Sequence, residues 1–196
     1  MDDAVADRLV AYLALLQRWN GTYNLTAVRD PAEMLTQHLL DCLAVIAPMQ
    51  RQLGGGPRRV LDVGSGGGLP GVVIAAVLAE QQVVCVDTVG KKAAFVRQVA
   101  AELRLANLQG EHARVENLKA APFDLITSRA FASLADFVSL SQPLLKQGGL
   151  WMAMKGKQPE AEVAALPTNI DVFHVEQLAV PGLAAERCLV WMRPRS

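Results

Sequence analysis

Apolar residues recur at helical spacing over the first quarter of the chain. One stripe stops at Asn20-Gly21 and consists of Val5, Leu9, Leu13, Leu16 and Trp19. A second helix is predicted to begin at Asp30-Pro31, where Asp30 can cap the helix and Pro31 suits its first position. Its stripe consists of Met34, Leu35, Leu39, Cys42, Leu43 and Ile46. The break at 54–57 then separates a helical extension, residues 1–53, from a unit spanning 58–196 on which we expect it to pack.

Beyond residue 57, short β-branched runs alternate with helical segments. The predicted strands are 60–63, 83–86, 108–111, 123–127 and 150–154, and the predicted helices are 70–80, 91–104, 133–146 and 158–165. Such alternation is typical of an α/β fold with a parallel sheet covered on both faces. The tail differs, since 170–180 and 187–193 both alternate apolar and polar residues. We expect them to form a final hairpin that adds an antiparallel strand.

Composition narrows the function classes. The 196 residues are 52% hydrophobic and 19% charged, which suits one globular unit. The longest apolar run, 71–79, is about half of the roughly 20 residues that a membrane helix needs, and the acidic start is unlike a secretory signal. We therefore expect a cytoplasmic protein without a membrane partner. Three scattered cysteines predict neither disulfides nor a metal site.

A glycine-rich turn follows the first predicted strand. Gly66, Gly68 and Gly71 match the dinucleotide fingerprint, which would indicate an NAD- or FAD-binding oxidoreductase. However, Asp62 lies inside the strand, and Gly64-Ser65 precedes the matching glycine. The turn instead resembles motif I of class I S-adenosylmethionine-dependent methyltransferases. The residues predicted to contact the cofactor here are Gly64, Ser65, Gly66, Gly68 and Leu69.

Two further strand ends carry candidate cofactor contacts. Asp87, followed by Thr88, ends the second strand and is placed to accept hydrogen bonds from a ribose, although it could also cap the helix that begins near Lys91. Val115 and Glu116 follow the third strand, where related enzymes hold adenine between an apolar and a polar side chain. Glu116 could equally be a solvated carboxylate.

The end of the fourth strand is informative through what it lacks. It reads Ile126-Thr127-Ser128-Arg129-Ala130-Phe131, without the Asn/Asp-Pro-Pro-aromatic segment typical of enzymes that methylate exocyclic amines, and no cysteine nucleophile is nearby. Guanine N7 needs neither device, because its lone pair lies in the ring plane.

Arg129 is the catalytic candidate at the end of this strand. Its guanidinium can hold the methionine carboxylate or a phosphate, and it stays protonated, so it cannot be a general base. Alternatively, Arg129 forms an ion pair with Glu116 or another carboxylate.

Together these motifs resemble one family, the bacterial 16S rRNA (guanine-N7) methyltransferases, also called glucose-inhibited division protein B. The resemblance covers about residues 15–157 and rests on Trp19-Asn20 with Asn24-Leu25-Thr26, Arg29-Asp30-Pro31, His38 with Asp41, the 64–71 turn, Asp87 with Gly90-Lys91-Lys92, Arg114-Val115-Glu116, Ser128 to Ala132 and Lys155-Gly156. It implies a class I, Rossmann-like fold, S-adenosylmethionine as cofactor and methyl transfer to N7 of a guanine in the 530 loop. The matching cofactor positions are Gly64, Leu69, Val115, Glu116 and Arg129.

Charge constrains how such a substrate is held. Nineteen Lys and Arg balance nineteen Asp and Glu, so only a local patch can attract RNA. The candidates for this patch are Arg29, Lys91, Lys92, Lys155 and Lys157. We expect 16S rRNA to be bound within the small ribosomal subunit or an assembly intermediate.

Four polar residues of the N-terminal segment have further candidate roles. His38 and Asp41 share a helix face and are either a structural pair or an RNA contact. Asn20 and Asn24 can shape the connector between the first helices.

Overall fold

A seven-stranded sheet forms the centre of the molecule. In the computed structural model, which describes residues 2–131 and 133–195, the strands are β1 Arg59–Val63, β2 Gln82–Asp87, β3 Leu108–His112, β4 Phe123–Ser128, β5 Leu145–Lys155, β6 Ile170–Gln177 and β7 Cys188–Pro194. Their order is β3-β2-β1-β4-β5-β7-β6. Only β7 runs antiparallel to its neighbours, β5 and β6. The predicted sheet with its C-terminal antiparallel strand is confirmed.

Helices cover both faces of this sheet. They include α5 Gly71–Val77, α6 Gly90–Glu102, α7 Leu134–Ser141 and α8 Glu160–Ala164. The side chains of successive strand residues lie on opposite faces of the sheet. They therefore pack into two separate hydrophobic clusters, one on each face. Val60 thus packs in the same cluster as Phe95 of α6, whereas Leu61 packs in the cluster that contains Phe137 of α7.

The N-terminal segment contains an irregular helix. α1, Asp3–Tyr23, is one 21-residue helix that packs against α5 and α6. The second predicted helix is divided into α2 Pro31–Met34, a π-helical stretch Leu35–Leu40, α3 Asp41–Leu43 and, after a turn, α4 Ile46–Leu53. Asp30 caps it as predicted, accepting from the N–H groups of Ala32 and Glu33. The division of the chain at 54–57 stays a prediction.

One element boundary differs clearly from the prediction. The helix expected over 133–146 ends at Ser141, a 3-10 turn covers Gln142–Leu144, and β5 already begins at Leu145. Pro143 cannot donate a backbone hydrogen bond inside a helix, which explains the early end. The polar start of β5 hides the strand in the sequence, and its pairing with β4 is irregular between Phe123 and Leu125. Among the described residues, no helix is long and apolar enough to cross a membrane.

Candidate active site

The carboxyl ends of the parallel strands bring the predicted residues to one edge of the sheet. Gly64 follows β1, Asp87 ends β2, Val115 follows β3, Arg129 follows β4 and Lys155 ends β5. Ligands of open α/β sheets bind at this edge, close to the point where the strand order reverses. Here that point lies between β1 and β4.

The glycine turn is fastened to the end of β2. The N–H groups of Gly64 and Ser65 donate to the Val86 carbonyl at 2.9 and 3.2 Å, and the Gly66 N–H donates to Asp87 Oδ2 at 2.9 Å. Gly64 has φ +66°, and a Cβ added there would meet no atom within 4 Å, so the turn faces open space in which a ligand can approach the backbone. This cradle fits the cofactor-binding role predicted for Gly64, Ser65 and Gly66.

Asp62, a buried residue of β1, supports the glycine turn. Its Oδ2 accepts from the Gly71 N–H at 2.8 Å, so the first N–H of α5 is paired within the protein. The Cys85 thiol lies 3.9 Å from the same oxygen. The side chain is completely buried, and burial raises the pKa of Asp62 to about 7. The carboxyl is therefore largely protonated at mildly acidic pH.

Tyr12 contacts the turn from the other side, and the sequence analysis did not identify it. Its hydroxyl donates to the Gly67 carbonyl at 2.7 Å, and its side chain is completely buried. Tyr12 lies three residues after Leu9 and four before Leu16, so helical spacing could have placed it on the buried face instead of Leu13, which is only half-buried. Helix α1 is thereby connected to the cofactor turn.

Asp87 uses both carboxylate oxygens in the same region. Oδ2 accepts from Gly66, while Oδ1 accepts from the Val89 N–H at 2.9 Å, and Lys92 Nζ lies 3.9 Å away. Helix α6 begins at Gly90 without a side-chain cap, so the capping alternative for Asp87 is wrong. Its contact with a ribose stays a prediction.

Two adjoining cavities fit the two halves of the cofactor. The first, about 390 Å³, is lined by Gly64, Asp87, Thr88 and Val115 among others, and suits an adenosine. The second, about 160 Å³, is lined by Ser65, Gly66, Leu69 and Arg129, and suits the methionine end.

Glu116 is partly exposed, and its carboxylate lies 3.8 Å from Arg114. Its contact with adenine therefore stays a prediction, beside the alternative of a solvated carboxylate. Gly68, at φ +87°, packs against Val72 and shapes the turn from behind.

Arg129 extends from β4 toward the π-helical segment. Its Nη1 donates to the Gln37 carbonyl at 3.1 Å and lies 3.8 Å from Asp41 Oδ2, so the ion pair that we considered is formed with Asp41 and not with Glu116. Asp41 Oδ1 also accepts from Arg187 Nε at 3.0 Å. Burial nevertheless raises the pKa of Asp41, because the side chain is almost entirely enclosed. Ala132, at the end of the family-like segment, lies outside the described residues.

His38 and the two asparagines organise the connector. His38 Nε2 is 2.8 Å from Thr26 Oγ1, and its Nδ1 is 3.4 Å from Arg129 Nη1. Burial and the neighbouring Arg129 lower the pKa of His38, which favours the neutral ring. Asn20 accepts from the Thr26 N–H and donates to the Val28 carbonyl. Asn24, at φ 51°, ends α1 in the left-handed conformation. His38 and Asp41 thus link the irregular helix to the sheet. The prediction that Asn20 and Asn24 shape the connector between the first helices is confirmed.

The predicted RNA-binding cations differ in how their charges are compensated. Lys155 Nζ contacts both oxygens of Glu162 at 2.8 and 3.1 Å. Lys92 lies beside Asp87, whereas Arg29, Lys91 and Lys157 are exposed. A larger cavity of about 1060 Å³ opens near Lys146, Gly148 and Arg193 at the opposite edge of the sheet. It contains none of the predicted site residues, so we place the active site at the glycine turn.

Comparison with known proteins identifies the family. The model of the GidB family, described as rRNA small subunit methyltransferase G, matches residues 6–190. The chain belongs to this family. The ribosomal RNA small subunit methyltransferase G of Leptothrix cholodnii is 66% identical over 196 residues, which are 100% of this chain and 90% of that protein. The protein of the same name from Verminephrobacter eiseniae is 58% identical and covers 99% of this chain and 88% of its own length.

Solved structures support the fold at lower identity. TrmN from Thermus thermophilus has a TM-score of 0.63 at 20% identity, covering 82% of this chain and 53% of its own. The glycopeptide N-methyltransferase MtfA has a TM-score of 0.65 at 12% identity, covering 79% and 90%. The GidB match and these folds confirm the predicted class I fold, the S-adenosylmethionine-dependent rRNA methyltransferase and its cofactor. No match favours the NAD- or FAD-binding oxidoreductase, and the described residues contain no cluster that could hold a metal ion.

Proposed function

We propose that this protein transfers a methyl group from S-adenosylmethionine to N7 of a guanine in the 530 loop of 16S rRNA. The observation that carries this choice of atom is that the bases beside Arg129 in the described part of the chain are already paired. Asp41 is almost entirely buried and lies between Arg129 and Arg187. His38 has one ring nitrogen next to Thr26 and the other next to Arg129. Arg129 itself stays protonated. A target nitrogen that carries no proton suits these surroundings.

The chain's own residues then have to bind, orient and exclude water. Gly64, Gly66 and Asp87 would hold the adenosine half of the cofactor, and Arg129 with Leu69 would enclose the methionine half. When bound, S-adenosylmethionine supplies the methyl carbon, which the N7 lone pair attacks while the carbon–sulfur bonding pair stays on sulfur as S-adenosylhomocysteine leaves. No proton is lost from N7, so catalysis consists of positioning and electrostatics.

We further propose that the substrate is the rRNA within a small subunit or an assembly intermediate. The formal net charge of zero provides no long-range attraction to naked RNA, and two of the five predicted RNA-contacting cations lie beside carboxylates. Recognition would therefore depend on the shape of a folded particle.

The test of this function is the identity of the methylated nucleoside. Small subunits from cells lacking the enzyme would be incubated with the protein and labelled S-adenosylmethionine, and the digested RNA analysed by mass spectrometry. We expect N7-methylguanosine. A methyl group on an exocyclic amine or on cytosine C5 would reject the assignment. Thermal shift with S-adenosylhomocysteine and with NAD checks the cofactor independently, because a ligand that binds only the folded state raises the melting temperature.

A further inference from the structure

A third cavity adjoins the methionine end of the cofactor site. It measures about 350 Å³, and its lining includes His38, Arg129, Lys155, Gly156 and Arg187. It shares His38 and Arg129 with the 160 Å³ cavity beside the glycine turn. The 160 Å³ cavity in turn shares Gly64 and Lys92 with the proposed adenosine cavity. The three cavities therefore lie next to one another in a row, and Arg129 lines both of the last two.

This order matches a requirement of methyl transfer. The reacting atoms must lie about 3 to 3.5 Å apart before reaction, so the acceptor has to enter directly beside the methionine end. The cavity at the opposite edge of the sheet shares no lining residue with the cofactor cavities. The 350 Å³ cavity meets the requirement.

The charges around this cavity match a single nucleotide. Its cations are Arg129, Arg187 and Lys155, and the two carboxylates paired with them are Asp41 and Glu162. With a neutral His38, one net positive charge is left, which balances the single negative charge of one phosphodiester. The guanidinium groups of Arg129 and Arg187 offer flat surfaces and forked donors, which suit an unstacked base and its phosphate.

We propose that this cavity receives the target guanine nucleotide, extruded from the rRNA, with Arg187 and Lys155 toward its phosphate and Arg129 at the side of the site where base and cofactor meet. Enzymes that modify a base must first take it out of the stack, which requires a pocket of this kind beside the reacting group. The inference rests on the proposed function, and it adds the position of the substrate.

Gly156 provides a direct test of this position. A Cβ built on Gly156 would meet no atom closer than the Glu186 carbonyl at 4.0 Å, so a side chain has room at this position, which lines the cavity. Gly156→Leu should therefore fill the nucleotide position and leave the fold and the cofactor cavities unchanged. The matched control is Gly55→Leu, where a Cβ also meets nothing within 4 Å but the residue does not line any of the three cavities.

The readouts are methylation of small subunits and calorimetric affinity for S-adenosylhomocysteine. For Gly156→Leu we expect kcat/KM to fall about tenfold or more, since misplacing a reacting group by 1 Å costs on the order of 100-fold. Affinity for S-adenosylhomocysteine should stay as in the wild type, and Gly55→Leu should change neither quantity. Arg187→Gln should raise KM for small subunits and also leave S-adenosylhomocysteine affinity unchanged.

Two results would overturn the inference: wild-type kcat/KM in Gly156→Leu, or an equal loss of S-adenosylhomocysteine affinity, which would assign the cavity to the cofactor. If Gly156→Leu is unstable in thermal melting, Gly156→Ala with Arg187→Gln supplies the same comparison. Failure of the wild-type protein to form N7-methylguanosine would instead reject the proposed function, so the two failures are distinguishable.

Discussion

The Asp87 carboxylate accepts from the N–H groups of Gly66 and Val89, and the bond from Gly66 connects the cofactor turn to the end of the second strand. We predict that it also accepts from the ribose. Asp87→Ala should then weaken S-adenosylmethionine binding by about 1.5 to 3 kcal/mol, the range for a hydrogen bond to a charged group. Calorimetry measures this directly, and circular dichroism checks that the fold is kept. Unchanged affinity would reject the role.

Arg129 is the side chain on which methyl transfer should depend most. Lysine at this position keeps the positive charge but loses the forked guanidinium, whose Nη1 reaches Gln37 and Asp41. Arg129→Lys should lower single-turnover methyl transfer by about 100-fold, the typical cost of losing one positioned donor. Arg114→Lys is the control, because Arg114 is highly exposed. Wild-type turnover in Arg129→Lys would contradict this assignment.

Asp62 predicts a specific pH dependence of stability. The pKa of Asp62 is about 7 in the folded protein and near its ordinary value of 3.8 in the unfolded chain, so between pH 3.8 and pH 7 the folded state binds the extra proton. The contribution of Asp62 to stability is therefore greatest at low pH and is lost as pH rises toward 7. Asp62→Asn removes this titration and can still accept from Gly71. Urea unfolding at about pH 5 and pH 8 measures the free energy of unfolding of both proteins. Relative to the wild type, the variant should be more stable at pH 8 than it is at pH 5. A difference independent of pH would count against the shifted pKa.

At the scale of elements, α1 contributes to the cofactor site as well as to the core. Tyr12→Phe removes only the hydroxyl that donates to Gly67 and should destabilise the protein by about 1 kcal/mol. We also expect weaker binding of S-adenosylhomocysteine, because the turn loses a support. Tyr23→Phe, on an exposed tyrosine at the end of the same helix, should have no effect. Equal melting temperatures of Tyr12→Phe and wild type would show that the Tyr12 hydroxyl does not stabilise the turn.

The sequence predicted the elements that depend on periodicity and missed those that depend on tertiary contacts. Strands such as β1 and β2 are short runs rich in apolar, mostly β-branched residues, and the glycine turn between β1 and α5 has a distinctive composition. The π-helical stretch Leu35–Leu40 has no such signal, since its sequence continues the helical stripe. Likewise, the pairing of Asp41 with Arg187 joins positions 146 residues apart. Only the folded chain shows that His38, Asp41 and Arg129 meet.

At the scale of the whole molecule, charge predicts how activity depends on salt. Arg29, Lys91 and Lys157 are exposed and lack a carboxylate partner among the described ion pairs. Few phosphate contacts imply that binding depends only weakly on salt. Each contact contributes about 0.7 to 0.9 to the slope of the logarithm of affinity against the logarithm of salt concentration. Methyl incorporation into small subunits should exceed incorporation into protein-free 16S rRNA, with a shallow slope for both. Equal rates, or a slope that needs about eight phosphates or more, would contradict the charge argument.

The most direct test of the central claim is to locate the methyl group within 16S rRNA. Small subunits from cells lacking the enzyme would be methylated by the purified protein, and the RNA cut into defined fragments for mass spectrometry. The account predicts one added methyl group, on N7 of a guanine in the 530 loop. Methylation confined to another region of the rRNA, or to another atom of the base, would contradict it.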